Sequence, residues 1–158
     1  MAFHDDLLNE ALQLVRKSPP SQLSLRRAVS AAYYAVFHFL ISEATANWTN
    51  EPLRTALGRA FDHGLMKTAS NRILNTNDFP FTGESPTTVS SLRSVAQGFS
   101  QLQQDRHFAD YNLTKNLDPT DALAQVKSAE KIFNTWPAIR DEQIAQAYLV
   151  SLLVNRPK

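Results

Sequence analysis

The sequence predicts an all-α fold, a four- to five-helix up-and-down bundle with an additional C-terminal helix. Apolar residues recur at helical spacing in several long stretches, and no stretch of strand length alternates polar with apolar residues. One stretch, Leu25–Ala46, is apolar nearly all round, which is typical of a central helix covered on several sides. The 158 residues contain no repeat and no dividing linker, so we expect one domain over residues 1–158.

The first two helices are predicted from apolar residues at helical spacing and from the residues at their termini. A helix over residues 3–17 has acidic residues in its first turn and basic residues in its last, and two prolines follow it. Ser21 or Ser24 can cap the long second helix. Arg26 and Arg27 stand near its start, where the helix dipole disfavours positive charge. We therefore expect these arginines to face carboxylates, a phosphate or open solvent.

A third helix is predicted from about Glu51, and Gly64 either ends it or kinks it because the apolar pattern continues beyond. Residues 75–84 have no helical period and contain a proline and a glycine, which indicates a surface loop. The loop carries Phe79 and Phe81, which must pack under it or against a partner.

The last helices have clear start signals. Ser85 precedes a proline at the first helical position, and the helix that follows should extend to Tyr111. Asp118 and the next three residues repeat this chemistry, with an acidic residue in the capping-box position. That helix reaches Trp136, and Pro137 marks a bend before a final helix and a short tail.

Composition excludes several classes of function. There is no cysteine, so there is no disulfide, thiol nucleophile or zinc–thiolate site, and a reducing cytoplasm is the expected location. No apolar run approaches the roughly 18–20 residues that span a membrane. The net charge of +1 argues against broad wrapping of a duplex, so any contact with nucleic acid should be local. We expect no cofactor and no metal site, because the four histidines form no ligand pattern with one another.

Two polar clusters are candidate sites. Arg59 and His63 are four residues apart, a spacing that puts a cation and a general acid or base on one helix face. The same spacing suits an ordinary surface pair near a helix end. As ligand-binding residues they form the secondary candidate site.

The second cluster is Asp105–Tyr111, where ionisable side chains crowd two helical turns. Arg106 and Asp110 are an i,i+4 pair, and an arginine held by a carboxylate can still turn donors toward a phosphate. His107 could transfer a proton near neutral pH, and Tyr111 could donate to an oxyanion or stack on a base. The alternative is a network that fixes the helix end to the bundle.

Two segments together resemble the HEPN family, small all-α modules found in prokaryotic toxins and beside nucleotidyltransferases. The first is RRAVSAAYYAVFH, from Arg26 to His38, and the second is RHFADYN, from Arg106 to Asn112. The second segment matches the R-x-x-A-D-Y signature of one compact branch of the family. The resemblance covers roughly residues 3–136 and implies a helical bundle that dimerises through the helices that carry the motifs.

The resemblance also implies a function. Active members cleave RNA without a metal at the dimer cleft, using an arginine and, after four to six intervening residues, a histidine. Arg106 matches the arginine and His107 the polar residue after it, but the histidine positions hold Tyr111, Asn112 and Leu113. His107 or His63 could substitute for it. Some members are adenylylated on a tyrosine by a partner nucleotidyltransferase, but the matching position here is Leu113.

Three functions therefore stay open. The first is a toxin or defence endoribonuclease with an altered site at Arg106, His107, Asp110 and Tyr111, so that enzymatic activity itself is undecided. The second is a non-catalytic module that binds RNA, a nucleotide or a partner protein such as a nucleotidyltransferase antitoxin. The third is a structural homodimer whose polar cluster is only a hydrogen-bonded network.

Overall fold

The computed structural model describes residues 2–75 and 83–154, and within these ranges it contains seven α-helices and no β-strand. In chain order they are α1 (Phe3–Val15), α2 (Gln22–Thr45), α3 (Glu51–Gly58), α4 (His63–Leu74), α5 (Pro86–Tyr111), α6 (Pro119–Ile139) and α7 (Gln143–Leu153). The all-α prediction is thereby confirmed for the described part of the chain.

The chain divides into two compact units. One comprises the described residues of Met1–His38 and Gly98–Asn134, and the other those of Phe39–Gln97 and Thr135–Lys158. Three helices, α2, α5 and α6, contribute residues to both units. That the chain is one domain stays a prediction.

The core of the first unit is formed by apolar side chains of α1, α2, α5 and α6. Tyr33 of α2 is fully buried, and its ring stacks on that of Phe99 with 5.6 Å between the centroids. Gly98 of α5 leaves room for α6, because a Cβ atom there would lie 2.8 Å from Cδ1 of Ile132. Alanines at three positions of α2 are also fully buried, and such small side chains allow close helix packing: Ala28, Ala32 and Ala35.

The core of the second unit includes the contact between α4 and α7. The hydroxyls of Ser70 and Tyr148 are 2.8 Å apart and fully buried, and the Ser70 hydroxyl also donates to the carbonyl of Met66. Burial raises the pKa of Tyr148, and the hydrogen bond to Ser70 opposes this only in part. The phenol therefore acts here as a neutral structural donor.

Three predicted helix starts have the expected caps. The Ser21 hydroxyl accepts from the Ser24 N–H at 3.0 Å, and the Ser85 hydroxyl accepts from the Thr88 N–H at 3.2 Å. A carboxylate oxygen of Asp118 accepts from the N–H two residues later at 2.8 Å. Each bond satisfies an N–H that the helix itself leaves without a partner.

Two boundaries differ from the prediction. The third predicted helix is two helices, and the break lies at residues 59–62 rather than at Gly64. The reason is Asp62, whose side chain accepts from the Leu65 N–H at 2.9 Å and starts α4. Likewise α6 does not end at Pro137 but continues through it to Ile139, since one missing N–H in the last turn costs little when Trp136 and Ile139 are buried.

The predicted loop phenylalanines, Phe79 and Phe81, and the tail after residue 154 lie outside the described residues. Within the described ranges, no helix combines the length and the apolar character that crossing a lipid bilayer requires.

Candidate functional site

The candidate site is at the carboxyl end of α5, which Arg26 of α2 holds in place. The Arg26 guanidinium donates to the carbonyls of Ala109 at 2.9 Å and Asn112 at 2.7 Å, and also to those of Phe108 and Lys115. The last carbonyls of a helix lack helical partners and carry partial negative charge, so a cation there satisfies both needs. Arg26 therefore contacts backbone carbonyls instead of the carboxylate, phosphate or solvent that we expected for it. Arg27 is exposed, as expected.

Gln22, one turn before Arg26, anchors the far end of the same segment. Its amide nitrogen donates to the Leu117 carbonyl at 2.8 Å, and its amide oxygen accepts from the Leu117 N–H at 2.8 Å. The same oxygen accepts from Nε of Arg26 at 3.2 Å. We call these two side chains the α2 clasp; together they fix residues 108–117 through backbone atoms.

The motif arginine points inward from α5. The side chain of Arg106 is only 13% exposed, and its guanidinium carbon is 5.2 Å from the ring centroid of Tyr33 and 5.7 Å from that of Tyr34. One terminal nitrogen is 3.6 Å from a carboxylate oxygen of Asp110. Its Nε is buried without a hydrogen-bond partner among the described residues. The guanidinium is therefore held by aromatic faces and one carboxylate.

Asp110 has a second neighbour on α2. The hydroxyl of Ser30 donates to the same carboxylate oxygen at 3.5 Å, which is long for a hydrogen bond. Asp110 is itself 29% exposed, so this carboxylate keeps contact with solvent. Its attraction for Arg106 is correspondingly modest.

His107 and Tyr111 form an exposed aromatic pair on a different side of α5. Their ring centroids are 4.9 Å apart, and Tyr111 is 66% exposed. Both rings line an open pocket of about 430 Å³ bounded by residues 104, 107, 108 and 111–114. We call it the α5 pocket. It offers two aromatic faces and several amide and hydroxyl groups to a ligand.

Asn112, which lines the α5 pocket, is held by its backbone and its side chain. Its N–H donates to the Phe108 carbonyl at 2.9 Å, and its own carbonyl accepts from Arg26. Its side-chain oxygen accepts from the Thr114 hydroxyl at 2.9 Å and from the Thr114 N–H at 3.3 Å. The pocket therefore has one rigid polar residue beside the aromatic pair.

An acidic pocket of about 320 Å³ lies beyond Phe108, which lines both pockets. It contains Asp105, Asp118 and Asp121. Burial raises the pKa of Asp105, a hydrogen bond from Gln101 lowers it, and the charge of Asp121 raises it again. The three aspartates make the acidic pocket unfavourable for an anionic ligand, so such a ligand is expected on the α5 pocket side of Phe108.

The predicted site residues separate into two pairs. Arg106 contacts Asp110 inside, and His107 contacts Tyr111 outside, so the four are neighbours along α5 but not one constellation. Arg59 and His63 do not share a helix, because α3 ends at Gly58 and His63 is the first residue of α4. The helical argument that put them on one face is therefore wrong, and their ligand-binding role stays a prediction.

Sequence reasoning missed the α2 clasp and Asn112. The clasp joins residues more than eighty positions apart, and no local pattern indicates it. For Asn112 a signal exists, because an Asn-x-Thr spacing just after a helix is suited to a side-chain turn.

Comparison of the chain with models of protein families, with curated proteins and with solved structures finds no match. Among the described residues, no group of three or more histidine, aspartate or glutamate side chains is arranged to hold a metal ion.

Proposed function

We propose that the chain is a HEPN-like protein that binds single-stranded RNA in the α5 pocket and cleaves it without a metal ion. The observation that carries the proposal is the exposed pair of rings, His107 and Tyr111, that lines this pocket. Exposed aromatic faces bind unpaired bases of any sequence, and each stacked base contributes about 1–3 kcal/mol. The motif resemblance at Arg106–Asn112 supports the same ligand.

The proposed reaction uses the side chains that lie beside a stacked base. The 2′-hydroxyl oxygen of the RNA attacks the adjacent phosphorus, the 5′-oxygen of the next nucleotide leaves, and a 2′,3′-cyclic phosphate forms. His107 accepts the proton of the 2′-hydroxyl, and the histidine so protonated returns it to the leaving oxygen. Arg106, once the phosphate draws its guanidinium away from Tyr33 and Tyr34, stabilises the developing charge through the donors that Asp110 does not occupy.

A module that binds RNA without cleaving it is the second candidate, and one observation favours it. The Arg106 side chain is largely buried and lies against Tyr33 and Tyr34, so little of the guanidinium is accessible to a ligand. A phosphate would have to draw the guanidinium out of these contacts. In this alternative the aromatic pair supplies the affinity, and Arg106 serves as a structural part of the bundle.

The resemblance adds the cellular context of the proposal. It implies a homodimer whose cleft brings two copies of the motif together, and a toxin or defence role in the cytoplasm. A nucleotidyltransferase antitoxin is a candidate partner, but control by adenylylation is not, because Leu113 holds the position of the modified tyrosine. The near-zero net charge is consistent with a local RNA cleft rather than a broad basic surface.

The test uses a fluorescently labelled single-stranded RNA and the purified 158-residue chain in EDTA. If the proposal holds, wild type cleaves the RNA to a 2′,3′-cyclic phosphate end. At saturating RNA, His107→Ala should lose about a hundredfold in rate, the low end for a proton-transfer group. It should bind the RNA more weakly because one of the two ring faces is lost, while Tyr111 still offers the other. Asn134→Ala, an exposed site on α6, is the matched control and should cleave like wild type.

Two other outcomes change the conclusion. Binding without cleavage, weakened by Tyr111→Ala, would establish the second candidate. Neither binding nor cleavage by a folded wild-type chain would exclude both.

A further inference from the structure

The side-chain amide of Asn112 can be oriented from its neighbours alone. The backbone N–H of Thr114 can only donate, so the Asn112 atom 3.3 Å from it must be the oxygen. The Thr114 hydroxyl, 2.9 Å from the same atom, then donates to it as well. Both lone pairs of the Asn112 oxygen are therefore occupied, and the assignment of oxygen and nitrogen follows from chemistry rather than from choice.

The nitrogen of the same amide remains free for a ligand. Its two N–H groups have no hydrogen-bond partner among the described residues. Asn112 lines the α5 pocket together with His107 and Tyr111. The Thr114 bonds limit rotation of the side chain, and the Arg26 contact to the Asn112 carbonyl at 2.7 Å fixes the backbone that carries it. The pocket thus holds a pre-oriented group that donates hydrogen bonds but accepts none.

We propose that the α5 pocket takes one unstacked nucleobase and that Asn112 selects a base with a carbonyl oxygen over adenine. This inference rests on the proposed RNA binding. Uracil, cytosine and guanine each present a carbonyl oxygen that can accept from the Asn112 amide. Adenine offers only ring nitrogens as acceptors, and its N1 and N7 each lie beside the N6 amine, a donor for which Asn112 has no free acceptor. Asparagine usually recognises adenine by donating with its nitrogen and accepting with its oxygen at once. At Asn112 the second half of that contact is blocked, because Thr114 occupies the oxygen.

Gln104 lines the same pocket and is the competing explanation for any base preference. Its amide has no hydrogen bond to a described residue, so it can rotate to present either its oxygen or its nitrogen. An amide that can rotate in this way can form a hydrogen bond with any of the four bases and so gives no preference among them. Preference should therefore follow the fixed amide of Asn112.

The test measures fluorescence anisotropy of labelled hexamers of uridine and of adenosine, at one fixed salt concentration, with the 158-residue chain. The readout is the ratio of the two dissociation constants. Asn112→Asp keeps an acceptor for Thr114 and removes the donors. Its added charge weakens both hexamers alike and cancels in the ratio. The self-stacking of adenosine is the same for every variant, so it cancels when the ratio of a variant is compared with that of wild type.

Asn112→Asp should reduce the preference for uridine by roughly threefold to tenfold, the effect of one hydrogen bond. Asn112→Ala, a second variant without the added charge, should do the same. The matched control is Asn134→Asp, the same change at an exposed residue of α6, and it should leave the ratio as in wild type.

Three results would overturn the inference. Equal ratios in wild type and both Asn112 variants would leave RNA binding intact and remove base selection. If the ratio changes in Gln104→Glu but not in Asn112→Asp, base selection belongs to Gln104 and the inference about Asn112 is wrong. No binding of either hexamer by folded wild-type protein would overturn the proposed function together with this inference.

Discussion

Replacing Arg26 with methionine should destabilise the protein strongly. Methionine keeps an apolar stem near Phe108 but removes the donors to the carbonyls of Ala109, Asn112 and Lys115. A hydrogen bond from a charged group contributes about 1.5–3 kcal/mol. Because the freed carbonyls are near the surface and regain water, we expect a total loss of about 2–4 kcal/mol rather than the sum. The midpoint of thermal unfolding should fall by about 5–15 °C.

The assay is urea unfolding followed by circular dichroism, with Arg27→Met as the control. Arg27 is the next residue on α2 and is exposed, so its substitution should change the free energy of unfolding by no more than about 0.5 kcal/mol. Amide hydrogen exchange locates the effect. The Leu117 N–H, which donates to the side chain of Gln22, should exchange faster in Arg26→Met than in wild type. If the two variants unfold within about 0.5 kcal/mol of each other, the α2 clasp does not stabilise the end of α5.

Two further substitutions test the buried polar groups. Asp105→Asn removes a carboxyl group whose pKa is raised by burial and by Asp121, against the opposing Gln101 hydrogen bond. Since the folded pKa exceeds the unfolded one, this group favours folding below the unfolded pKa and loses that contribution as the pH rises through the folded pKa. In urea unfolding, the free energy of unfolding of the variant relative to wild type should therefore be higher at pH 7 than near pH 4. A difference between variant and wild type that does not change with pH would contradict the burial argument. Tyr148→Phe should cost about 1 kcal/mol in the same assay, because the hydroxyl at 2.8 Å from Ser70 is lost while Ser70 keeps a backbone acceptor; an unchanged stability would mean that the pair contributes nothing.

Helix starts were predictable from sequence because their causes are local. Ser85 and Asp118 each bond an N–H within three residues, and a proline follows each of them directly. The break before α4 was also local, since Asp62 caps that helix. Its position differs from the prediction because the acidic cap at Asp62 is a stronger signal than the glycine two residues later.

The pairs at the candidate site were predictable, but the direction in which each faces was not. Helical spacing alone brings Arg106 to Asp110 and His107 to Tyr111. Which pair is covered depends on α2, where Tyr33 and Tyr34 lie under the arginine. Such information comes from contacts between distant parts of the chain, and a single sequence does not contain it in readable form.

The α2 clasp has a consequence for how freely the segment it holds can change. The hydrogen bonds that Arg26 and Gln22 make to residues 108–117 go to carbonyls and one N–H rather than to side chains. Residues 113–116 can therefore be exchanged for other types while the backbone path stays the same. A library randomised at these four positions on the unchanged scaffold should yield folded proteins with altered ligand preference, so the end of α5 is a natural place to engineer new binding specificity.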